Sequence, residues 1–241
     1  MQLTVLGSNS SGNGYVLQNE SEAIILECGC PLSDCLKALK FNTRKVAGVL
    51  TTHIHGDHFA YYQQYRERFT LYMSRGTLNA LALSNDYHLT PLEPLKTANI
   101  GNFKVMPFPV EHDAPEPFGY LIQHPDFGTL IFATDTYYIK YKFPNIDWMM
   151  IECNYIERIL DENVKNGSVP AVVRSRVLKS HLSLRRCVDC IKANNHNNLK
   201  GVILLHLSPN NSNKKEMKEE VEKSCGKQVF IAEKNTSIFL I

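Results

Sequence analysis

The sequence predicts an α/β fold in which two sheets are covered on the outside by helices. Three observations lead there. Short β-branched or apolar runs alternate with helix-like segments. The first runs follow one another across glycine and polar turns, whereas the later ones are interleaved with helices. No repeat or low-complexity linker interrupts the 241 residues. Residues 1–241 therefore read as a single domain, long enough to bury a sizeable core without a disulfide or metal staple.

Taken in order, Leu3–Leu6, Tyr15–Leu17 and Ala23–Cys28 have the composition of strands, with turn residues between them. Ser33 is the expected N-cap of a helix running to Lys40, and Val46–Thr51 is the next strand. Phe59–Phe69 and Thr77–Ser84 read as helices, the first with Phe59, Tyr62 and Phe69 on one core-directed face. A second set of strands follows at Phe103–Phe108, Gly119–Gln123, Thr129–Ala133 and Trp148–Glu152. Helices are expected at Ile156–Val164, Leu182–Asn194 and Lys214–Ser224, with strands at Val202–Leu205 and Gln228–Ile231. The asparagine-rich stretches 194–198 and 210–213 read as surface turns.

A net charge of only +2 argues against a strongly electrostatic nucleic-acid binder, while leaving room for a local basic patch. The start, Met1 to Gly7, lacks the charged and apolar regions of an export signal, and no apolar run is long enough to span a membrane. A cytoplasmic setting without a membrane partner is the expectation. Seven cysteines, an odd number in no regular framework, fit reduced thiols. Cys187-Val-Asp-Cys190 has zinc-knuckle spacing, but no second such pair accompanies it, so core or surface thiols are expected.

The densest chemical signal is Thr51-Thr52-His53-Ile54-His55-Gly56-Asp57-His58, directly after an apolar strand. On an extended segment, residues two apart point to the same side, so His53 and His55 can address one metal. Gly56 permits a change of direction, after which Asp57 and His58 can address a second. Three imidazoles and a carboxylate suit zinc or another borderline divalent ion; manganese and iron are the alternatives.

The pattern His53-x-His55-x-Asp57-His58 resembles the signature of the metallo-β-lactamase superfamily, a four-layer αββα sandwich of hydrolases. Candidates for that family's later ligands follow in order, each after a predicted strand: His112, Asp135 and His206. The resemblance implies that His53, His55 and His112 hold one metal and Asp57, His58 and His206 the other, with Asp135 bridging. Glu27, in Leu26-Glu27-Cys28-Gly29, stands where the family usually has an aspartate behind the ligands. The loop Leu6 to Asn13 lies beside the site in such proteins, which makes Ser10 and Asn13 substrate-contact candidates.

Lys179-Ser180-His181-Leu182-Ser183 resembles the Gly-His-Leu-Ser motif of the phosphodiesterase and nuclease branch, with Ser180 for glycine. Asp57, Asp135 and His181 are then the expected catalytic side chains. His181 would act as the acid that protonates the departing sugar oxygen, and Arg174 and Arg176 would meet substrate phosphate. Lys179, Arg185 and Arg186 complete this basic cluster. His88, His124 and His196 have no partner pattern and read as surface or structural residues. The aromatics of Thr136–Phe143 fit either a packed lid or subunit contact, or a base-stacking platform with a lysine on phosphate.

With Glu152-Cys153-Asn154-Tyr155, these motifs are similar to two groups. One is the anti-Pycsar group, found in phages and bacteria, which hydrolyses 3′,5′-cyclic mononucleotides and so disarms a cyclic-nucleotide immune signal. The other is the YycJ-type group of nucleases, with tRNase Z further off. Compact length and modest charge favour the small cyclic substrate, and a nuclease acting on DNA or RNA is the alternative. The resemblance also suggests a homodimer. A β-lactamase would be expected to carry an export signal. A glyoxalase-type thioesterase has no use for His181, and oxygen-reducing diiron relatives carry glutamate in place of His55. A non-catalytic nucleotide-binding module is the reading from a different class, and the complete ligand set counts against it.

Overall fold

The computed structural model describes residues 1–82 and 86–241. They divide into two compact units: Met1–Pro109 with Ala114–Gly128 and Ala232–Ile241, and Val110–Asp113 with Thr129–Ile231.

In the first unit, β1 (Gln2–Asn9) and β2 (Gly12–Gln18) form a hairpin, and β3 (Ala23–Leu26) adds antiparallel to β2. The next strands, β4 (Val46–Leu50), β5 (Leu71–Ser74) and β6 (Leu89–Leu92), add in parallel. Four short helices fill the connections: α1 (Leu32–Ala38), α2 (Gly56–Phe59), α3 (Tyr62–Arg66) and α4 (Arg75–Ala80). Val16, Ile25, Val49, Leu71 and Tyr65 share one buried cluster with Leu39, Phe59 and Phe69. Burying one such aliphatic or phenylalanine side chain contributes about 1.5–3 kcal/mol. An antiparallel meander of β7 (Ala98–Ile100), β8 (Phe103–Pro109) and β9 (Phe118–His124) belongs to the same unit.

In the second unit, β10 (Gly128–Ala133), β11 (Trp148–Glu152), β12 (Gly201–Leu205) and β13 (Gln228–Ile231) are parallel neighbours in that order. Their connections carry α5 (Glu157–Lys165), α6 (Ala171–Ser180), α7 (Leu184–Asn194) and α8 (Lys214–Cys225). All five residues of β12 are buried, as expected of a parallel strand covered on both faces. The helix ends follow local chemistry. Ser183 Oγ accepts from Arg186 N at the start of α7, Asn213 Oδ1 accepts from Glu216 N at the start of α8, and Gly226 closes α8 in the left-handed region at φ 66°. The last strand, β14 (Ser237–Phe239), returns to pair with β1 in the first unit.

Several expectations are corrected. Ser33 does not cap α1, which starts at Leu32 after Pro31 and ends before Lys40, a residue at φ 51°. The expected Phe59–Phe69 helix is two pieces, α2 and α3. Its aromatic face is still core: Phe59 and Phe69 are buried, and Tyr62 stacks on Phe59 at 4.7 Å between centroids. The far end of the expected Thr77–Ser84 helix lies outside the described residues. All seven cysteines are free; Cys187 and Cys190 lie on α7, and among the described residues no cysteine joins a metal-competent group. His124 is structural, buried with Nε2 2.8 Å from the Glu22 carboxylate. Among the described residues no helix is long and apolar enough to cross a membrane.

Candidate metal centre

In the first unit, parallel pairing of β3 and β4 sets Leu26 opposite Leu50, so the residues leaving the two strands emerge side by side. Those residues are Glu27 and the segment Thr51–His53. Glu27 is fully buried at φ 67°, a conformation that ordinary side chains disfavour. Its carboxylate takes Thr52 Oγ1–H at 2.6 Å on Oε1 and Thr52 N–H at 3.2 Å on Oε2. Because the Thr52 hydroxyl donates to Glu27, it accepts from His53 Nδ1 at 2.9 Å, which leaves His53 Nε2 as the lone-pair nitrogen. His58 Nδ1 lies 3.3 Å from the same Glu27 oxygen. One buried carboxylate thus fixes two of the four motif residues, in the manner of the supporting groups around metal ligands.

The rings cluster: His53 lies 4.7 Å from His55 and 4.3 Å from His58 between centroids. The change of direction comes from the start of α2, with His55 as its N-cap residue in extended conformation. Gly56 has no left-handed backbone, and a Cβ there would meet nothing within 4 Å, so its expected role as a flexible pivot is not what bends the chain. The glycine that matters is Gly29. A Cβ on it would sit 1.8 Å from the Asp57 carbonyl oxygen and 2.9 Å from Asn13 N. Gly29→Ala is therefore expected to displace the loop that carries Asp57 and destabilise the protein by at least about 1–3 kcal/mol. A melting curve and a metal titration check this; an unaltered Tm with unaltered metal uptake contradicts it.

Asn13 is fully buried. Its Nδ2 donates to Asn9 O at 3.1 Å and lies 3.3 Å from Asp57 Oδ2 and 3.0 Å from His58 Nε2. It braces these two side chains. Ser10, by contrast, is exposed at the tip of the β1–β2 turn.

In the second unit, the sheet register does the assembling. Ala133 pairs with Ile151 and Glu152 with Leu205, so Asp135, Glu152 and His206 all leave at the carboxyl ends of neighbouring parallel strands. This is the edge of a parallel sheet where ligands characteristically bind. Asp135 at φ 47° and His206 at φ 54° hold left-handed backbone, which costs energy at both positions. The Asp135 carboxylate faces two different imidazoles, with Oδ1 3.3 Å from His206 Nδ1 and Oδ2 3.8 Å from His112 Nε2. His112 Nδ1 lies 3.0 Å from the Ser180 carbonyl oxygen and donates its proton there, so Nε2 is its lone-pair nitrogen, as in His53. Burial holds His112 below the usual histidine value, against the pull of Asp135, in the neutral form a ligand requires.

Glu152, part of the Glu152–Tyr155 motif, has no individual role assigned by the sequence. It is fully buried and accepts Thr136 N–H and Leu182 N–H at 3.0 Å each on Oε2. Its Oε1 lies 2.7 Å from His181 Nδ1 and 3.2 Å from His206 Nδ1. Asp135, Glu152, His181 and His206 each offer a donor atom within 4.8 Å of the others. With its oxygens already taken by two backbone amides and two imidazoles, Glu152 anchors these groups rather than serving as a ligand. Burial pulls His181 down, but the charge and hydrogen bond of Glu152 outweigh it and hold the imidazole above its ordinary value. Asn154 Nδ2 donates to His206 O at 2.7 Å.

Of the basic candidates on α6, Arg174 is paired, its Nε 2.7 Å from Asp161, and Arg176 is exposed. Arg186 donates to Tyr137 O at 3.0 Å.

The comparisons with known proteins agree in direction. The family described as Beta-lactamase superfamily domain matches residues 33–206. Exodeoxyribonuclease WalJ of Streptococcus pneumoniae serotype 2 (strain D39) is 24% identical over 226 residues, 87% of this chain and 82% of the relative. Exodeoxyribonuclease YycJ of Bacillus anthracis is 24% identical over 193 residues, 74% of this chain and 70% of the relative. The metallo-β-lactamase fold protein YhfI from Bacillus subtilis superposes with a TM-score of 0.76 at 17% identity, covering 98% of each chain.

Proposed function

Because the chain belongs to the β-lactamase superfamily, with the metallo-β-lactamase fold, we propose that this metal-dependent hydrolase cleaves phosphodiester bonds in DNA. The observation that carries the reading is the Glu152–His181 pair beside Asp135 and His206, an acid group held next to metal-competent side chains. The exodeoxyribonuclease relatives supply the substrate class.

In this reading residues 1–241 act as one catalytic domain. As the family resemblance implies, His53, His55 and His112 would hold one ion and Asp57, His58 and His206 the other. Asp135 would serve both, with zinc first and manganese or iron as alternatives. The donor set fits: His53 and His112 are imidazoles with Nδ1 already engaged, accompanied by two carboxylates. Bound divalent ions at such centres activate water and stabilise negative charge on a phosphoryl oxygen. The chain's own residues do the rest. Glu152 holds His181 by Nδ1, so Nε2 is the edge from which a proton passes to the departing 3′ or 5′ oxygen. Glu27, Thr52 and Ser180 keep the imidazoles in the tautomer that presents Nε2. A homodimer in the cytoplasm belongs to the same reading.

A second reading, hydrolysis of 3′,5′-cyclic mononucleotides to 5′-nucleotides in an anti-Pycsar-like role, is favoured by the low net charge of +2. Product analysis separates the two. Metal-loaded protein is given an oligodeoxynucleotide, an oligoribonucleotide and cyclic mononucleotides, with a chelated control. Shortened DNA with cyclic nucleotides untouched is the expected result. Clean ring opening without polymer degradation establishes the second reading, RNA cleavage alone points to a ribonuclease, and turnover of nothing leaves a nucleotide-binding module.

A further inference from the structure

We propose that a cavity of about 620 Å³ in the second unit, between the Tyr137–Lys142 segment and α7, is a subsite that holds one unpaired nucleotide of a single-stranded DNA chain. The proposal rests on the phosphodiesterase reading and adds the place where the strand is gripped.

The lining combines the two chemistries such a strand requires. Tyr137, Tyr138 and Tyr141 supply π faces, while Lys142, Arg185 and Arg186, together with Lys140, supply positive charge. Two of the rings are already covered by cations: Arg186 lies 5.5 Å over Tyr137, and Lys140 lies 5.3 Å over Tyr141. Tyr138 is 53% exposed and is the face left open for a base. Glu157 and Asp189 also line the space, so the four cations outnumber the carboxylates by two. Arg186 is occupied by the Tyr137 carbonyl and Lys140 by its ring, which leaves Lys142 and Arg185 for phosphate.

Position links the cavity to the chemistry. Tyr137 stands two residues beyond Asp135, and Leu182, which also lines the cavity, directly follows His181. A nucleotide bound here is therefore joined by a short stretch of backbone to a diester presented to His181. Base stacking on a tyrosine needs an unpaired base and tolerates any sequence, and the flanking cations track the backbone. A cyclic mononucleotide undergoing ring opening has no second base with which to fill the space.

The test is binding, read by fluorescence anisotropy of a 5′-labelled oligo(dT) on the full chain with metal chelated, so that nothing is hydrolysed. Tyr138→Ala is expected to weaken binding about 5- to 100-fold, whereas Tyr138→Phe, which keeps the face, binds as the wild type. Lys142→Ala is expected to reduce the slope of log affinity against log salt by about 0.7. A blunt duplex of equal length should bind at least about tenfold more weakly, since its bases cannot reach the ring. Wild-type affinity for Tyr138→Ala overturns the subsite, as do equal losses in the alanine and phenylalanine variants, duplex binding as tight as the single strand, or no oligo(dT) binding at all. If the phosphodiesterase reading alone fails, the result differs: no diester is turned over with metal present, while the anisotropy pattern stands.

Discussion

His181→Ala is expected to slow cleavage of an unactivated DNA diester by about 10²- to 10⁴-fold, the range that positioned proton transfer contributes. Turnover of bis-p-nitrophenyl phosphate should change only a few-fold. The split follows from the leaving group: a deoxyribose alkoxide needs a proton as it departs, and a nitrophenolate does not. Only the imidazole edge away from Glu152 is available to supply that proton, because Nδ1 is held at 2.7 Å by the carboxylate. Glu152→Gln tests the same arrangement from behind. It removes the charge that keeps His181 raised and the acceptor that steadies His206, and a loss of about 10- to 100-fold is expected, as for other outer partners of metal sites. The leaving-group dependence is the discriminating readout, since a merely structural defect would slow both substrates alike. Equal losses on the two diesters would remove His181 from proton transfer.

Glu152 also shows how far the sequence was legible. The motif His53–His58 is local, so its donor chemistry is visible in six consecutive letters. The later candidates show because each ends an apolar run, and β12, buried along its whole length, is the clearest of these. Glu152 ends a similar run, but its role depends on the register that sets it opposite Leu205 and on the turn that brings His181 back to it. Neither is written in the neighbouring residues. The link from His53 through Thr52 to Glu27 was hidden in the same way, since it depends on β3 lying parallel to β4.

In the fold, the misses have local causes. β5 has four residues and follows directly on helix-like sequence. β6 contains Pro91, which removes a ladder donor and is tolerated because β6 is the edge strand of its sheet. α6 carries a weakly patterned Val-Val-Arg-Ser-Arg start with two exposed valines, so periodicity does not declare it. The two-residue break between α2 and α3 has no proline or glycine to announce it.

Asp135→Asn is expected to abolish metal-dependent turnover while making the metal-free protein more stable, and these opposite signs are the informative part. The side chain is 3% exposed and its two oxygens face His112 and His206, so the carboxylate charge is what an ion pair would share. Burial works against ionising Glu152, but the charge of His181 and the hydrogen bonds of His181 and His206 outweigh it and hold the carboxyl below its ordinary value. The Asp135 charge beside it adds repulsion on the opposing side. Asparagine keeps the shape and tolerates the φ of 47° that position 135 requires, but it removes the repulsion. The Tm of the metal-free variant should therefore lie above that of the metal-free wild type. Adding metal reverses the order. A ligand present at 100 times its dissociation constant stabilises the folded state by about 2.7 kcal/mol. The wild type gains such a term from each ion, whereas the variant binds the shared ions weakly and gains less. Paired melting curves with and without zinc, alongside metal content per chain, check this. If Asp135→Asn takes up as much zinc as the wild type and gains as much in Tm, Asp135 is not the shared ligand. A carboxylate set beside a second buried carboxylate is expected to be a liability without metal, and this crossing of melting temperatures measures that cost directly.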